Sequence, residues 1–161
     1  MATVKINYAT SGTITFTLGE LASSTTIGRS STSIDNGTNL YDDVLVYIAV
    51  KTSGTTLGMD KSVYVYVYGS EDGTNFDSGA EAVGSDIGIT FSNPTILKGP
   101  VVLAAPGTSQ TYKKVFSISP FFGGRMPRKW GLVAKNFTGQ SLDPTETNFT
   151  KTYTGITYTV V

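Results

Sequence analysis

The sequence predicts an all-β sandwich of jelly-roll type with long polar loops, and three observations carry that expectation. Apolar and polar residues alternate with period two along most of the chain. Thr, Val, Tyr and Phe, the residues that a pleated, half-buried surface accommodates, fill those stretches. Apolar residues nowhere recur at helical spacing for more than about two turns.

Each element follows from its own pattern. Val4–Tyr8 alternates. Thr13–Leu18 places Ile14, Phe16 and Leu18 on one face and Thr on the other. Val44–Val50 is apolar on both faces, which suits a central strand covered twice. Lys61–Tyr68 sets Val63, Val65 and Val67 against Tyr64, Tyr66 and Tyr68. Further strands are expected at Ile87–Phe91, Val101–Ala104, Lys113–Ile118 and Lys129–Lys135. The closing strand opposes Thr154, Ile156, Tyr158 and Val160 to Tyr153, Gly155, Thr157 and Thr159. About nine short strands with turn residues between them indicate one sandwich domain over residues 1–161. Three long connections stand out: Gly19–Asp43, Asp77–Asp86 and Ser119–Arg128. Long loops without structure of their own are usually functional.

Composition narrows the chemistry. Charged residues make up 15%, while 25 Thr, 16 Ser and 18 Gly fill the chain. An average soluble domain carries roughly 25% charged residues. There is no His and no Cys. Disulfides, thiol nucleophiles, the usual zinc sites and His-dependent triads are thereby excluded. A binding or building part is expected, with no catalytic residue, cofactor or metal. The first 90 residues hold four basic and ten acidic side chains, the rest eight and two, for a net charge of +0. Either the halves interleave and cancel, which is the simpler reading, or they form opposed patches for contacts between copies. Neutrality gives no pull toward nucleic acid or an anionic membrane. Met1–Tyr8 lacks the basic and apolar regions of a signal peptide, and Val44–Val50 is too short to span a bilayer. The chain is expected to be made in a cytoplasm and to enter no membrane.

The local motifs have competing readings. Asp72-Gly73 is a turn signal, with Phe76 packing back beside the Tyr strand. Calcium binding by Glu71, Asp72 and Asp77 is the weaker reading, because the spaced ligands of a calcium loop are missing. Asp42, Asp43 and Asp60 offer a paired-carboxylate glycosidase site, but loop solvation is simpler. The sequons at Asn36, Asn136 and Asn148 are expected by chance in so Thr-rich a chain. Trp130 with Tyr64, Tyr66 and Tyr68 offers a sugar-stacking platform; subunit contact or core packing ranks above it. Arg125, Arg128 and Lys129 with Phe121 and Phe122 offer weak support for single-stranded nucleic acid. An interface anchor ranks higher, since aromatic residues and Arg are enriched at hot spots. The expected partner interface is therefore Phe121, Phe122, Arg125 and Arg128 with the Tyr row, joined by a polar arm over Leu21–Leu40.

Three stretches carry a resemblance: Ser62–Phe76, Pro127–Gly139 and Tyr153–Tyr158. Together they resemble small β-sandwich virion proteins of tailed bacteriophages, and among these most the head decoration, or cement, proteins. The resemblance implies a non-enzymatic virion protein whose partners are the major capsid protein and copies of itself. A trimer would suit the local threefold positions of an icosahedral shell. A tail or fibre component, or a carbohydrate-binding sandwich, is the alternative.

With no His and no Cys, the melting temperature should be indifferent to reductant and to EDTA. A fall of more than a few degrees with EDTA would revive the calcium reading of Glu71, Asp72 and Asp77, because a native-state ligand stabilises by mass action.

Overall fold

The chain folds into two antiparallel sheets that face each other. The computed structural model describes residues 2–58, 60–78, 83–91 and 97–161. Within them eleven strands form: β1 (Val4–Tyr8), β2 (Gly12–Thr13), β3 (Ile27–Ser30), β4 (Ile34–Asp35), β5 (Asp43–Lys51), β6 (Ser62–Ser70), β7 (Ile87–Thr90), β8 (Lys98–Ala104), β9 (Thr111–Ser117), β10 (Lys129–Asn136) and β11 (Thr150–Val160). The first sheet runs β1-β11-β5-β9, with β2 also on β11. The second runs β7-β3-β10-β6-β8, with β4 on β10. No helix among the described residues is long and apolar enough to cross a membrane.

Both sheets mix strands from the acidic first half with strands from the basic second half, strictly alternating in the first sheet, so the charges interleave. Lys51 pairs with Asp143 at 3.3 Å and Lys98 with Asp77 at 2.6 Å across the halves.

Alternation sorts the side chains between faces. Val44, Val46, Ile48 and Val50 of β5 point into the sandwich with Val63, Val65 and Val67 of β6 and Trp130, Leu132 and Ala134 of β10. The strands covered on both faces are β6 and β10, not β5. The Tyr face of β6 belongs to a second core with Ile89, Phe91, Leu97 and Val133. Leu45 and Tyr47, on the outer face of β5, stay half-buried.

Two expectations about the chain path are corrected. Thr13–Leu18 does not form a continuous strand, although Ile14, Phe16 and Leu18 are fully inside as their alternation requires. The segment crosses between the sheets and closes one side of the sandwich. Ile14 N–H donates to Lys151 C=O of the first sheet, and Thr15 C=O accepts from Thr32 N–H beside the second. Toward its end the amides bond side chains in place of a ladder: Thr17 N–H donates to Asp86 at 3.1 Å, and Leu18 and the following Gly19 N–H to Glu146 at 3.0 and 2.6 Å. The stretch Leu21–Leu40 is not a protruding arm. It supplies β3 and β4, and its Ser30 and Ser31 are fully buried.

Ser31 sits where β10 passes from β3 to β4. Its N–H donates to Leu132 C=O at 2.8 Å, and its Oγ accepts Leu132 N–H at 2.9 Å. The Ser31 carbonyl is thereby left to accept the Tyr68 hydroxyl at 2.8 Å. Replacing Ser31 with Ala leaves a buried N–H without an acceptor, a cost of about 1–3 kcal/mol. We expect Ser31→Ala to lower the melting temperature by roughly 3–10 °C without changing the dichroism spectrum. An unchanged melting temperature would show that Leu132 N–H finds another acceptor.

Candidate functional site

The Tyr row is committed inside the chain. Tyr68 is fully buried and Tyr66 is 7% exposed. Tyr68 meets Phe76 edge-on at 5.4 Å, as the turn at Asp72-Gly73 requires. Tyr66 lies 5.9 Å from Phe91, and Tyr64 lies 4.8 Å from Phe137. Burial pushes the Tyr66 and Tyr68 hydroxyls above their usual pKa. These residues form a core, not an exposed contact patch. Trp130 is also fully buried and meets Tyr153 edge-on, so the sugar-stacking platform is not formed.

Of the carboxylates singled out by the sequence, Asp42, Asp43, Asp72 and Asp77 are engaged by their own fold. Asp43 accepts Val44 N–H at 2.7 Å, Ser119 N–H at 2.9 Å and the Ser117 hydroxyl. Burial alone would raise its pKa; the bonds from Ser117, Ser119 and Val44 outweigh that and hold it below the ordinary 3.8. Asp42 accepts Tyr158 N–H at 2.8 Å. Asp60 lines a different cleft, beside Ser23 and Phe137, so the three acids do not converge. Asp72 accepts Thr74 and Asn75 N–H at 2.8 and 2.7 Å, Asn75 Nδ2 at 2.6 Å and the Ser70 hydroxyl at 3.0 Å. These donors hold its carboxyl far below the usual range. Asp77 accepts Gly69 N–H and pairs with Lys98. No group of three or more His, Cys, Asp or Glu gathers as a cation site among the described residues. The sequon asparagines Asn36 and Asn136 are buried and hydrogen-bonded internally.

The loop at Ser119–Arg128 divides its residues between fold and surface. Ser119–Phe122 makes one 3-10 turn, and Gly123 and Gly124 follow at φ 69° and 86°, values that favour glycine. Phe121 meets Phe116 edge-on at 6.3 Å against the main core. Phe122 packs over Gly69, with Lys98 Nζ 5.0 Å from its ring. Both rings anchor the loop to its own fold and are not splayed to stack bases or fill a partner's groove. The Arg128 side chain is exposed and lies along Gly37 and Gly73. Arg125 is exposed and pairs with no carboxylate among the described residues.

Arg125 stands on the rim of a cleft of ≈ 440 Å³ with Tyr41, Asp42, Met126 and Tyr158. At Tyr158 the cleft opens onto a ribbon. The β11 strand has 11 residues, and its ladder with β5 ends at Ile156 opposite Asp43. Thr157–Val160 continue with β1 alone, and all five β1 residues are exposed. Register places Val4 opposite Val160, Ile6 opposite Tyr158 and Tyr8 opposite Ile156, so these residues share one face. Ile6 is 53% exposed and Val160 72%. The alternation of both strands is legible in the sequence, but its apolar side faces out where an inward face is the ordinary expectation. The length of the last strand was the signal: 11 residues overhang the nine-residue β5 beside them.

A carboxyl whose folded pKa lies below its unfolded value stabilises the fold fully above the unfolded value. That contribution is lost as pH falls through the folded pKa. Asp43 is one such group. Asp86 is another: burial raises its pKa, but bonds from Arg29 and Thr17 hold it below 3.8. The melting temperature should therefore hold from neutral pH to just above 3.8 and fall below it. Asp43→Asn should melt lower than the parent at neutral pH and lose less on acidification. An acid profile identical to the parent's would place the acid sensitivity on other carboxyls. No protein-family model and no curated protein matches this chain.

Proposed function

We propose that this protein is a non-enzymatic structural component of a tailed-bacteriophage virion: a decoration protein that binds the major capsid protein and holds the head through repeated contacts. The observation that carries this reading is the apolar ribbon of β1 and β11 beside the Arg125 cleft. Contiguous exposed apolar surface marks contact sites. Here it joins an unpaired guanidinium able to fork onto a carboxylate of an acidic shell surface. The polar groups that could do chemistry are meanwhile bonded within the fold. Modest contacts suffice for such a role, because many copies on one shell act together. The resemblance of Ser62–Phe76, Pro127–Gly139 and Tyr153–Tyr158 to phage virion sandwiches supports the same reading.

Heads assembled without this protein supply the test. Purified protein should sediment with them in many copies per head. Arg125→Glu and Tyr158→Ser should each weaken binding roughly 30-fold, the scale of an interface hot spot, with dichroism unchanged. Phe122→Ala is a poorer probe, because Phe122 also supports the fold over Gly69. A handful of copies per particle would move the protein to a fibre or tail tip. Full occupancy by the double variant would remove this surface from the contact.

A further inference from the structure

We infer that β1 is a docking edge for a second copy of this chain, the two β1 strands pairing antiparallel across a two-fold axis at Ile6. The inference does not rest on the capsid reading. Each sheet ends in two edges, and an edge strand exposes unpaired N–H and C=O groups that proteins normally blunt. Three of the four edges here are blunted. On β9 the adjacent Lys113 and Lys114 are exposed. On β8 Pro100 offers no N–H, and the register against β6 shifts between Val65 and Val67. The β7 edge is four residues long and contains Gly88. The fourth, β1, is five residues long, has no proline or bulge, keeps an unbroken register and carries a single lysine, Lys5.

The ladder on its inner side fixes which groups point outward. Thr3 and Val161 exchange both backbone bonds at 2.9 Å, and Ala9 N–H donates to Gly155 C=O at 2.9 Å. Antiparallel ladders alternate, so the odd-numbered residues bond β11. The N–H and C=O of Val4, Ile6 and Tyr8 then face away from it. A second β1 can meet all three only in the register that sets Ile6 against Ile6 and Val4 against Tyr8. That register opposes Lys5 to Asn7 and leaves no like charges facing. Of the two neighbouring registers, Val4 against Ile6 sets Lys5 against Lys5, an unfavourable pair of like charges, and leaves Tyr8 outside the pairing of the two strands, while Ile6 against Tyr8 leaves Val4 outside it. The strand is therefore complementary to itself in one register, which is the requirement for a closed two-fold contact. Pairing also aligns Val4, Ile6 and Tyr8 of both copies with Tyr158 and Val160 in one apolar surface. A net charge of +0 gives no overall repulsion between copies. The predicted assembly is a dimer, in place of the trimer that threefold shell positions suggest.

Light scattering and sedimentation equilibrium on the full chain test this. The parent should show the mass of a dimer that dissociates on dilution. Ile6→Lys and Ile6→Glu each set a like charge against itself across the axis, and each should weaken dimerisation roughly tenfold or more. An equimolar mixture of the two should restore the dimer, because Lys then faces Glu. Ile6→Pro removes an outward N–H, keeps the β11 ladder and should be monomeric with unchanged dichroism. A parent that is monomeric at the highest attainable concentration, or trimeric, would overturn the inference. So would an Ile6→Lys dimer as tight as the parent, or a mixture of charge variants that stays monomeric.

Discussion

The β6–β10 pair is buried on both faces, and the rest of the molecule answers to that. Eight residue pairs align from Lys129–Ser70 to Asn136–Val63, with the sandwich core on one side and the Tyr core on the other. A buried polar group without a partner is costly, so the chain around this pair is arranged to supply partners. The Ser31 carbonyl receives the Tyr68 hydroxyl while the Ser31 hydroxyl stands in for it on the ladder. Asn136 donates to Leu21 and Gln140 carbonyls and accepts from the Thr138 amide and hydroxyl. Lys135 donates to Thr25 C=O at 2.7 Å and lies 4.1 Å from the Phe91 ring. Burial pushes its ammonium below the usual pKa. Segments that look like spare polar loop thus become the lining of the second core.

The same accounting explains why the acidic residues are poor candidates for chemistry. A sandwich whose connections cross between sheets leaves amides off the ladder. The side chains of Asp43, Asp72, Asp86 and Glu146 take up those amides at Val44, Thr74, Thr17 and Leu18. Lys151, held against Glu146, completes the clamp on the crossing segment. Structural duty and availability to a ligand compete for the same lone pairs, and here structure takes most of them. Among the exposed groups left without such a duty are Arg125 and a stretch of apolar ribbon.

Period-two patterning made the architecture legible. It marked eight of the eleven strands to within a few residues; β2 takes only the start of the alternation at Thr13–Leu18, and the short β3 and β4 lay hidden in Leu21–Leu40 because hydroxyl residues carry no hydrophobic period. Patterning says which residues share a face. It does not say what covers that face, because cover depends on partners far away in sequence. Val44–Val50 reads as doubly covered and is not. Tyr64, Tyr66 and Tyr68 read equally as a subunit contact or as core and are core, since Ile89, Phe91 and Leu97 return over them from a later part of the chain. Phe122 reads as an interface anchor for the same reason: its covering partner, Gly69, is a neighbour only once the sheets have formed, whereas Phe121 is met by Phe116 from the end of the preceding strand. Of that group, Arg125 and Arg128 are the exposed members.

The ribbon follows from strand length and from which side is left open. A strand that outlasts its neighbour continues without the opposite sheet beneath it, so neither face of the overhang can be buried from within the chain. Hydroxyl and lysine side chains would be the neutral choice for both faces. One face here does carry Lys5, Asn7, Thr157 and Thr159, with Asn7 bonded to Thr159 at 3.1 Å. The other carries Val4, Ile6, Tyr8, Tyr158 and Val160. An overhang polar on one side and apolar on the other gains nothing for the isolated fold, since its apolar side is solvated in both the folded and the unfolded chain. Its stabilisation is realised only when something lies against it, on the outer face of the first sheet.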